Sequence, residues 1–361
     1  MSESDRFSTT RRDAVKLGLY TGLATLAPAG ISSVLAADSK LPLITKAIPS
    51  TGEKLPPVGV GTNSFTDANL ASLQAMIKRM NELGGSVIDT AASYGESEAT
   101  IGKLLDNLKL RDKFFLSTKL TAGGGMGMGM GAAPAGGAAP QGAGGPPGGA
   151  PPAGGAPGGG PGGGMGGMTM DNVSGEKSFE RSLERLKTNK LDLLMVHNMS
   201  GIDEIMPKLQ EWKKAGKIRY LGMTTSNTSQ HAQMVEYMKK YPVDFVQVNY
   251  SIESREAEQT VLPLALERKI GVMVNVPFGG RGGRTLLSAD GRELPKWAAD
   301  INCSNWSQFL LKFVISHPAV TVAIPGSTKI EHMEANQAAA RGVLPDAAMR
   351  KRMQDFWDAK A

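Results

Sequence analysis

The sequence has 361 residues, a formal net charge of +6 and 41% hydrophobic residues. That length admits two ordinary domains or one large α/β barrel, and the apolar content excludes a chain disordered throughout. The single cysteine, Cys303, excludes an internal disulfide and any multi-cysteine zinc or iron–sulfur site, and four scattered histidines suggest no metal cluster.

In chain order, residues 1–37 read as an address rather than as part of the fold. Ser8-Thr9-Thr10-Arg11-Arg12-Asp13 precedes a mildly apolar run over 17–29, and Val34-Leu35-Ala36-Ala37 offers a cleavage site after Ala36 or Ala37. Thr21, Gly22, Thr25 and Pro28 interrupt the run, which makes it a poor permanent membrane span. The layout resembles a twin-arginine (Tat) export signal. That resemblance implies the Tat export machinery as a partner, only transient contact with a membrane, and an exported, periplasmic protein. A membrane anchor or an amphipathic cytosolic leader is the alternative reading.

Residues 38–361 read as one barrel domain. A hairpin comes first, with arms at 44–49 and 54–57 around the turn Ser50-Thr51-Gly52-Glu53. Strand candidates follow at 58–60, 86–89, 113–118, 191–196, 218–223, 244–250, 271–276 and 320–324, with amphipathic helical stretches between them, such as 70–83, 179–186 and 205–215. Most of these strands start 26 or 27 residues apart, one βα unit per beat. A further helix is expected over 345–359.

The third unit breaks the beat. Its excess is the 45-residue segment 123–167, which holds eight prolines and no charged residue. Of the 45 glycines in the chain, 23 fall between Thr121 and Met170, so the glycine excess is local. Such a segment can bury no apolar face and reads as a disordered, polyproline-like insert after the third barrel strand. Met126, Met128, Met130 and Met165 could ligate soft Cu(I), although low-complexity drift is the weightier reading. With the insert set aside, eight βα units remain, and the count favours a closed (β/α)8 TIM barrel over an open sheet. No long basic run with interleaved aromatics is present, which speaks against nucleic-acid binding.

In such a barrel the functional side chains stand at the C-terminal ends of the strands. Asp89, Tyr94, Lys119 and His197 fall there, at the ends of strands two, three and four. The set suits carbonyl reduction, which needs a hydride donor and an acid for the nascent alkoxide. A tyrosine serves as that acid when a nearby ammonium stabilises its phenolate. Asp89 would hold Lys119, and a neutral His197 could orient the carbonyl oxygen. Taken singly, the same groups could be a strand-end ion pair, a satisfied loop histidine and a tyrosine capping the mouth.

Asp89-Thr90-Ala91 with Tyr94-Gly95, Ser97-Glu98 and Ile101-Gly102 closely resembles the signature of the aldo-keto reductases. Thr118-Lys119 and the run from Leu191 to Asn198 resemble that family's next two blocks, and the likeness covers about residues 41–355 apart from the insert. It implies Tyr94 as general acid, tuned by Lys119 and Asp89, with His197 orienting the substrate. It also implies NADP(H) as cofactor, with NAD(H) left open. Gln247 falls on the glutamine that meets the nicotinamide carboxamide, and Thr224 and Thr225 fall on a Ser-Asn pair. Pro277, Phe278 and Gly279 belong to the segment after strand seven, where Asn275 stands in place of a usual aromatic. Ser327, Thr328 and Lys329, with His332 and Asn336 on the next helix, form the expected phosphate cradle, a helix N-terminus being suited to anions. Gly326 and His332 depart from a frequent lysine and arginine there.

The expected function is thus exported, NADP-dependent reduction of an aldehyde or ketone with a small or aromatic body. Two alternatives stand beside it: a non-dissociating nicotinamide that shuttles hydride between two substrates, and a non-catalytic interaction module on the same fold.

Overall fold

A computed structural model of the protein describes residues 41–120, 174–280 and 283–359. Residues 1–37, read above as an export signal, and the insert 123–167, with its methionines, lie outside the described residues.

A hairpin of β1 (Lys46–Ala47) and β2 (Lys54–Leu55) comes first, paired antiparallel. Its turn closes on Gly52, whose φ of +78° suits a residue without Cβ and whose amide donates to the Ile48 carbonyl at 2.8 Å. Eight strands follow: β3 (Val60–Gly61), β4 (Val87–Asp89), β5 (Phe115–Leu120) and β6 (Leu191–Val196), then β7 (Ile218–Thr224), β8 (Phe245–Asn249), β9 (Gly271–Asn275) and β10 (Val320–Ala323). Each lies parallel to the next, and parallel bridges from Val58 to Ala323 and from Gly61 to Gly326 bring the first strand against the last. The result is the expected eight-stranded α/β barrel.

The helices are α1 (Leu70–Glu82), α2 (Ser97–Leu108), α3 (Gly175–Arg185), α4 (Ile202–Lys214), α5 (His231–Lys240), α6 (Val261–Glu267), α7 (Arg284–Ser288), α8 (Trp306–Ile315), α9 (Ile330–Ala338) and α10 (Ala347–Asp358). None of the described helices is long and apolar enough to cross a membrane. The last helix starts where its cap dictates, with the Asp346 side chain accepting the Met349 amide at 2.8 Å.

The strands read as nearly continuous apolar runs because both of their faces are covered. Leu194, Val196, Leu221, Met223, Val246 and Val272 pack outward under the helices. Phe115, Leu193, Met195, Tyr220, Phe245 and Met273 point inward and meet Ile48 and Leu55 of the hairpin. The hairpin therefore floors the barrel at the N-terminal ends of the strands. Glu53 and Thr51 tie that floor down by hydrogen bonds to the Tyr220 hydroxyl at 2.6 and 2.9 Å.

One boundary differs from the expectation in a way that matters. The third barrel strand, expected at 113–118, is β5 at Phe115–Leu120. Arg111–Lys113 coils into a 3-10 turn, which delays the strand, and pairing of Lys119 with Met195 and of Leu120 with Val196 prolongs it. Lys119 is held inside the sheet rather than on a loop beyond it.

Candidate active site

Alternation along the strands builds the site. On β5 the inward residues climb from Phe115 through Ser117 to Lys119, and on β9 from Gly271 through Met273 to Asn275. On β8 the same climb leads from Phe245 to Gln247. The lower interior is apolar and aromatic, whereas the rim at the strands' C-terminal ends is polar. Polar groups buried at that depth must find partners, and here they mostly find one another.

The centre of the network is Asp89, 2% exposed at the end of β4. Its carboxylate accepts the Lys119 ammonium at 2.5 Å, the Ser117 hydroxyl at 2.8 Å and the Gln247 amide at 3.1 Å. Lys119 is 1% exposed and also donates to the Thr90 carbonyl at 2.7 Å. Burial alone would push this ammonium toward neutrality. The Asp89 carboxylate and the Tyr94 phenol outweigh burial, so the Lys119 pKa stands above lysine's ordinary value and the charge is kept. The ammonium lies 5.2 Å from the centre of the Tyr94 ring.

His197 follows directly on β6 and opens a 3-10 turn, His197–Met199. Its ring meets Tyr94 edge to face, with centroids 5.8 Å apart at 81°. Burial first, and the Lys119 charge second, push its pKa down to about 3, so the imidazole is neutral at any physiological pH. The four residues singled out in the sequence thus stand in one constellation around a half-buried phenol.

Around Gln247 the arrangement is tight. Its amide also donates to the Met273 sulfur at 3.2 Å, and Asn275 reaches it with an amide donor at 3.4 Å. The same Asn275 amide bonds the Thr225 carbonyl at 3.0 Å, while Asn275 Oδ1 is buried without a partner. Thr224 and Thr225 are both buried, and the Thr225 hydroxyl is engaged in its own loop, donating to Gln230 at 2.6 Å. Beyond β9 the backbone turns sharply. Pro277 and Gly279 are buried and Phe278 half-buried, and a Cβ on Gly279 would lie 1.9 Å from the Thr285 hydroxyl oxygen.

The segment after β10 stands at the same height as Asp89, since β3 places Gly61 opposite both Asp89 and Gly326. At roughly 4.8 Å per strand, Gly326 lies about 10 Å across the rim from Asp89. Ser327 and Thr328 are half-buried there, and Lys329 is an exposed N-cap residue of α9. His332 is exposed one turn on, and Asn336 is buried a turn further. A Cβ on Gly326 would meet nothing nearer than 3.8 Å, so the cradle is open.

The roles of two groups of this site escape sequence reading. Ser117 shares an inward face with Lys119 two residues away, and a hydroxyl at alternate spacing in an apolar strand is the signal that marks it. Glu98, buried behind the Tyr94 loop, bonds the Thr118 hydroxyl at 2.7 Å and Arg185 at 3.3 Å. Arg185 also reaches the Ala92 carbonyl at 3.4 Å, and no local pattern foretells this link between α3 and the Tyr94 loop.

The sequence profile of the Aldo/keto reductase family matches residues 57–355, nearly the whole of the described barrel. The chain belongs to the aldo/keto reductase family. Among similar curated proteins, the aldo-keto reductase yakc [NADP(+)] of Schizosaccharomyces pombe is 30% identical over 210 residues, covering 49% of this chain and 60% of that one. The chain thus matches somewhat over half the length of such relatives. Methylglyoxal reductase YeaE of Escherichia coli is 26% identical over 84% of this chain and 92% of its own. Among solved structures, an aldo-keto reductase of Bacillus halodurans in its holo form superposes with a TM-score of 0.62 at 21% identity, covering 87% and 96% of the two chains. A Klebsiella pneumoniae aldo/keto reductase in complex with NADP and acetate gives 0.62 at 22%, covering 85% and 93%. These likenesses give the aldo/keto reductase barrel as the fold.

Proposed function

We propose that the protein is an NADP-dependent carbonyl reductase that works on small or aromatic aldehydes or ketones outside the cytoplasm. The observation that carries the reading is the buried Lys119 ammonium, fixed by Asp89 and set against the Tyr94 phenol. Reduced NADP, when bound, supplies the hydride to a carbonyl carbon. Tyr94 gives its phenol proton to the carbonyl oxygen, and the charge left on the phenolate is stabilised by the adjacent ammonium. Neutral His197 orients that oxygen by a hydrogen bond, its depressed pKa removing any competition as a general acid.

Gln247 and Asn275, the latter with an unpartnered carbonyl oxygen, suit a carboxamide, which both donates and accepts. Ser327, Thr328, Lys329 and His332, with Asn336 behind them, suit the phosphate-bearing end of the dinucleotide. The 277–279 segment after β9 lies between that cradle and Gln247, whereas Thr224 and Thr225 stand at the end of β7, on the other side of Gln247, and would flank the carboxamide. The relative named for NADP(+) and the structure in complex with NADP support that choice. Tyr94→Phe, which deletes only the hydroxyl, should lower kcat by at least about a hundredfold across a panel of carbonyls while NADPH affinity changes little. Wild-type rates in that variant would end the assignment.

The export half of the reading rests on Arg11-Arg12 and the apolar run behind them. Lysines at both positions keep the charge but lose the guanidinium pair. Cell fractionation should then find the doubly substituted chain in the cytoplasm, folded and active; undiminished export would assign another route.

A further inference from the structure

The ring of His197 has two nitrogens, and only one can carry the single proton of a neutral imidazole. Among the described residues, its hydrogen-bond partner is the hydroxyl of Ser93, 3.2 Å from Nδ1 and 104 residues away in the chain. Ser93 is itself held on both sides. The Ala92 amide donates to the Lys119 carbonyl at 3.0 Å, the Tyr94 amide to the Ala91 carbonyl at 3.0 Å, and Arg185 reaches the Ala92 carbonyl at 3.4 Å. The serine therefore sits on a pinned loop, one residue before the phenol.

A hydroxyl can give its proton to Nδ1 or accept one from it, and the two cases set opposite tautomers. Ser93 is half-buried, and Nδ1 is the acceptor the described residues offer its proton. Donation to Nδ1 leaves the ring proton on Nε2, the nitrogen free to meet a ligand. Acceptance would put the proton on Nδ1 and leave a bare lone pair at Nε2, unable to donate to a carbonyl oxygen.

We infer that Ser93 is a positioning residue that donates to His197 Nδ1 and so fixes the Nε2–H tautomer, arming the histidine as a hydrogen-bond donor. This rests on the carbonyl-reductase reading for its use, but not for its existence. The second neighbour of the ring, Tyr94, meets it edge to face and orients the plane without choosing the proton's place. The tautomer is thus left to the serine.

The test is the ¹⁵N spectrum of selectively labelled histidine in the ligand-free full chain, where protonated and bare imidazole nitrogens resonate far apart. The wild type should show His197 with Nε2 protonated and Nδ1 bare. Ser93→Ala should turn this into a mixture of tautomers and lower kcat about 10- to 100-fold, the range for partners that orient an imidazole. NADPH affinity should stay unchanged, and Ser93→Thr, which keeps the hydroxyl, should restore both signals. A protonated Nδ1 in the wild type overturns the inference, as does a Ser93→Ala protein unchanged in both spectrum and rate. Should Ser93→Ala not fold, the wild-type spectrum still decides. Should the wild type reduce no carbonyl at all, the reductase reading falls while the spectrum still judges the role of Ser93.

Discussion

At the scale of single residues, the chemistry depends on where charge can be kept. Lys119 holds a full positive charge while 1% exposed, because Asp89 accepts it at 2.5 Å and the Tyr94 phenol stands beside it. Such a pair is costly to bury, and its value here lies in function more than in stability. Lys329 presents the opposite case: an exposed ammonium at the start of α9, next to the half-buried hydroxyls of Ser327 and Thr328. If that cradle takes the 2′-phosphate of NADP, Lys329→Ala should weaken NADPH binding by about tenfold or more while NADH binding barely moves, as expected for loss of one charge-assisted contact. Fluorescence titration with the two dinucleotides checks this, and equal losses for both would place the phosphate contact elsewhere.

At the scale of elements, periodicity makes the barrel legible in the sequence. Strands that are covered on both faces leave apolar runs in the sequence, and a βα unit of 26 or 27 residues leaves a beat. Asp89, Tyr94, Lys119 and His197 are legible because each falls at or near the C-terminal end of a strand, where polar residues follow an apolar run. The register of β5 was less visible. Its shift by two residues comes from the Arg111–Lys113 turn and from pairing with β6, neither of which is local in sequence. The link from α3 to the Tyr94 loop lay further out of reach. Gly102 on α2 lets α3 come so near that a Cβ would stand 2.1 Å from the Arg185 carbonyl oxygen. That approach brings Arg185 to Glu98 and Ala92, a juxtaposition that only the tertiary packing creates. Ser93 was in plain view within the motif, yet its meaning depended on a histidine 104 residues later.

At the scale of the whole molecule, two histidines tie stability to pH. His317 accepts the Ala319 amide on Nδ1 at 3.1 Å, and burial, followed by the charges of Arg350 and Lys46, pushes its pKa down to about 4. His197 is pushed down to about 3, whereas either ring in the unfolded chain would titrate near 6.5. Between pH 6.5 and 4 these two rings therefore bind more protons in the unfolded chain than in the folded one, and their contribution to stability falls as the pH falls. Above pH 6.5 both rings are neutral in either state and this contribution is complete. Denaturant midpoints should decline from pH 6.5 toward 4, and His317→Asn, whose carbonyl can still accept the Ala319 amide, should flatten the slope. Midpoints of the wild type that hold level or rise over that interval would contradict the assignment.

The closure of the sheet has a consequence for how the molecule meets others of its kind. An open sheet ends in rows of unpaired amides and carbonyls, on which another chain can template itself. Here Val58 bridges to Ala323 and Gly61 to Gly326, so the first strand meets the last and little of such a border is left among the described residues. Among the described residues, strand edges remain only on the hairpin, whose two arms are two residues long. Arms that short offer little template for a fibre or for strand exchange between copies. Among the described residues, a partner that binds by adding a strand finds little to pair with, and contacts at the rim or across the helices are left to it.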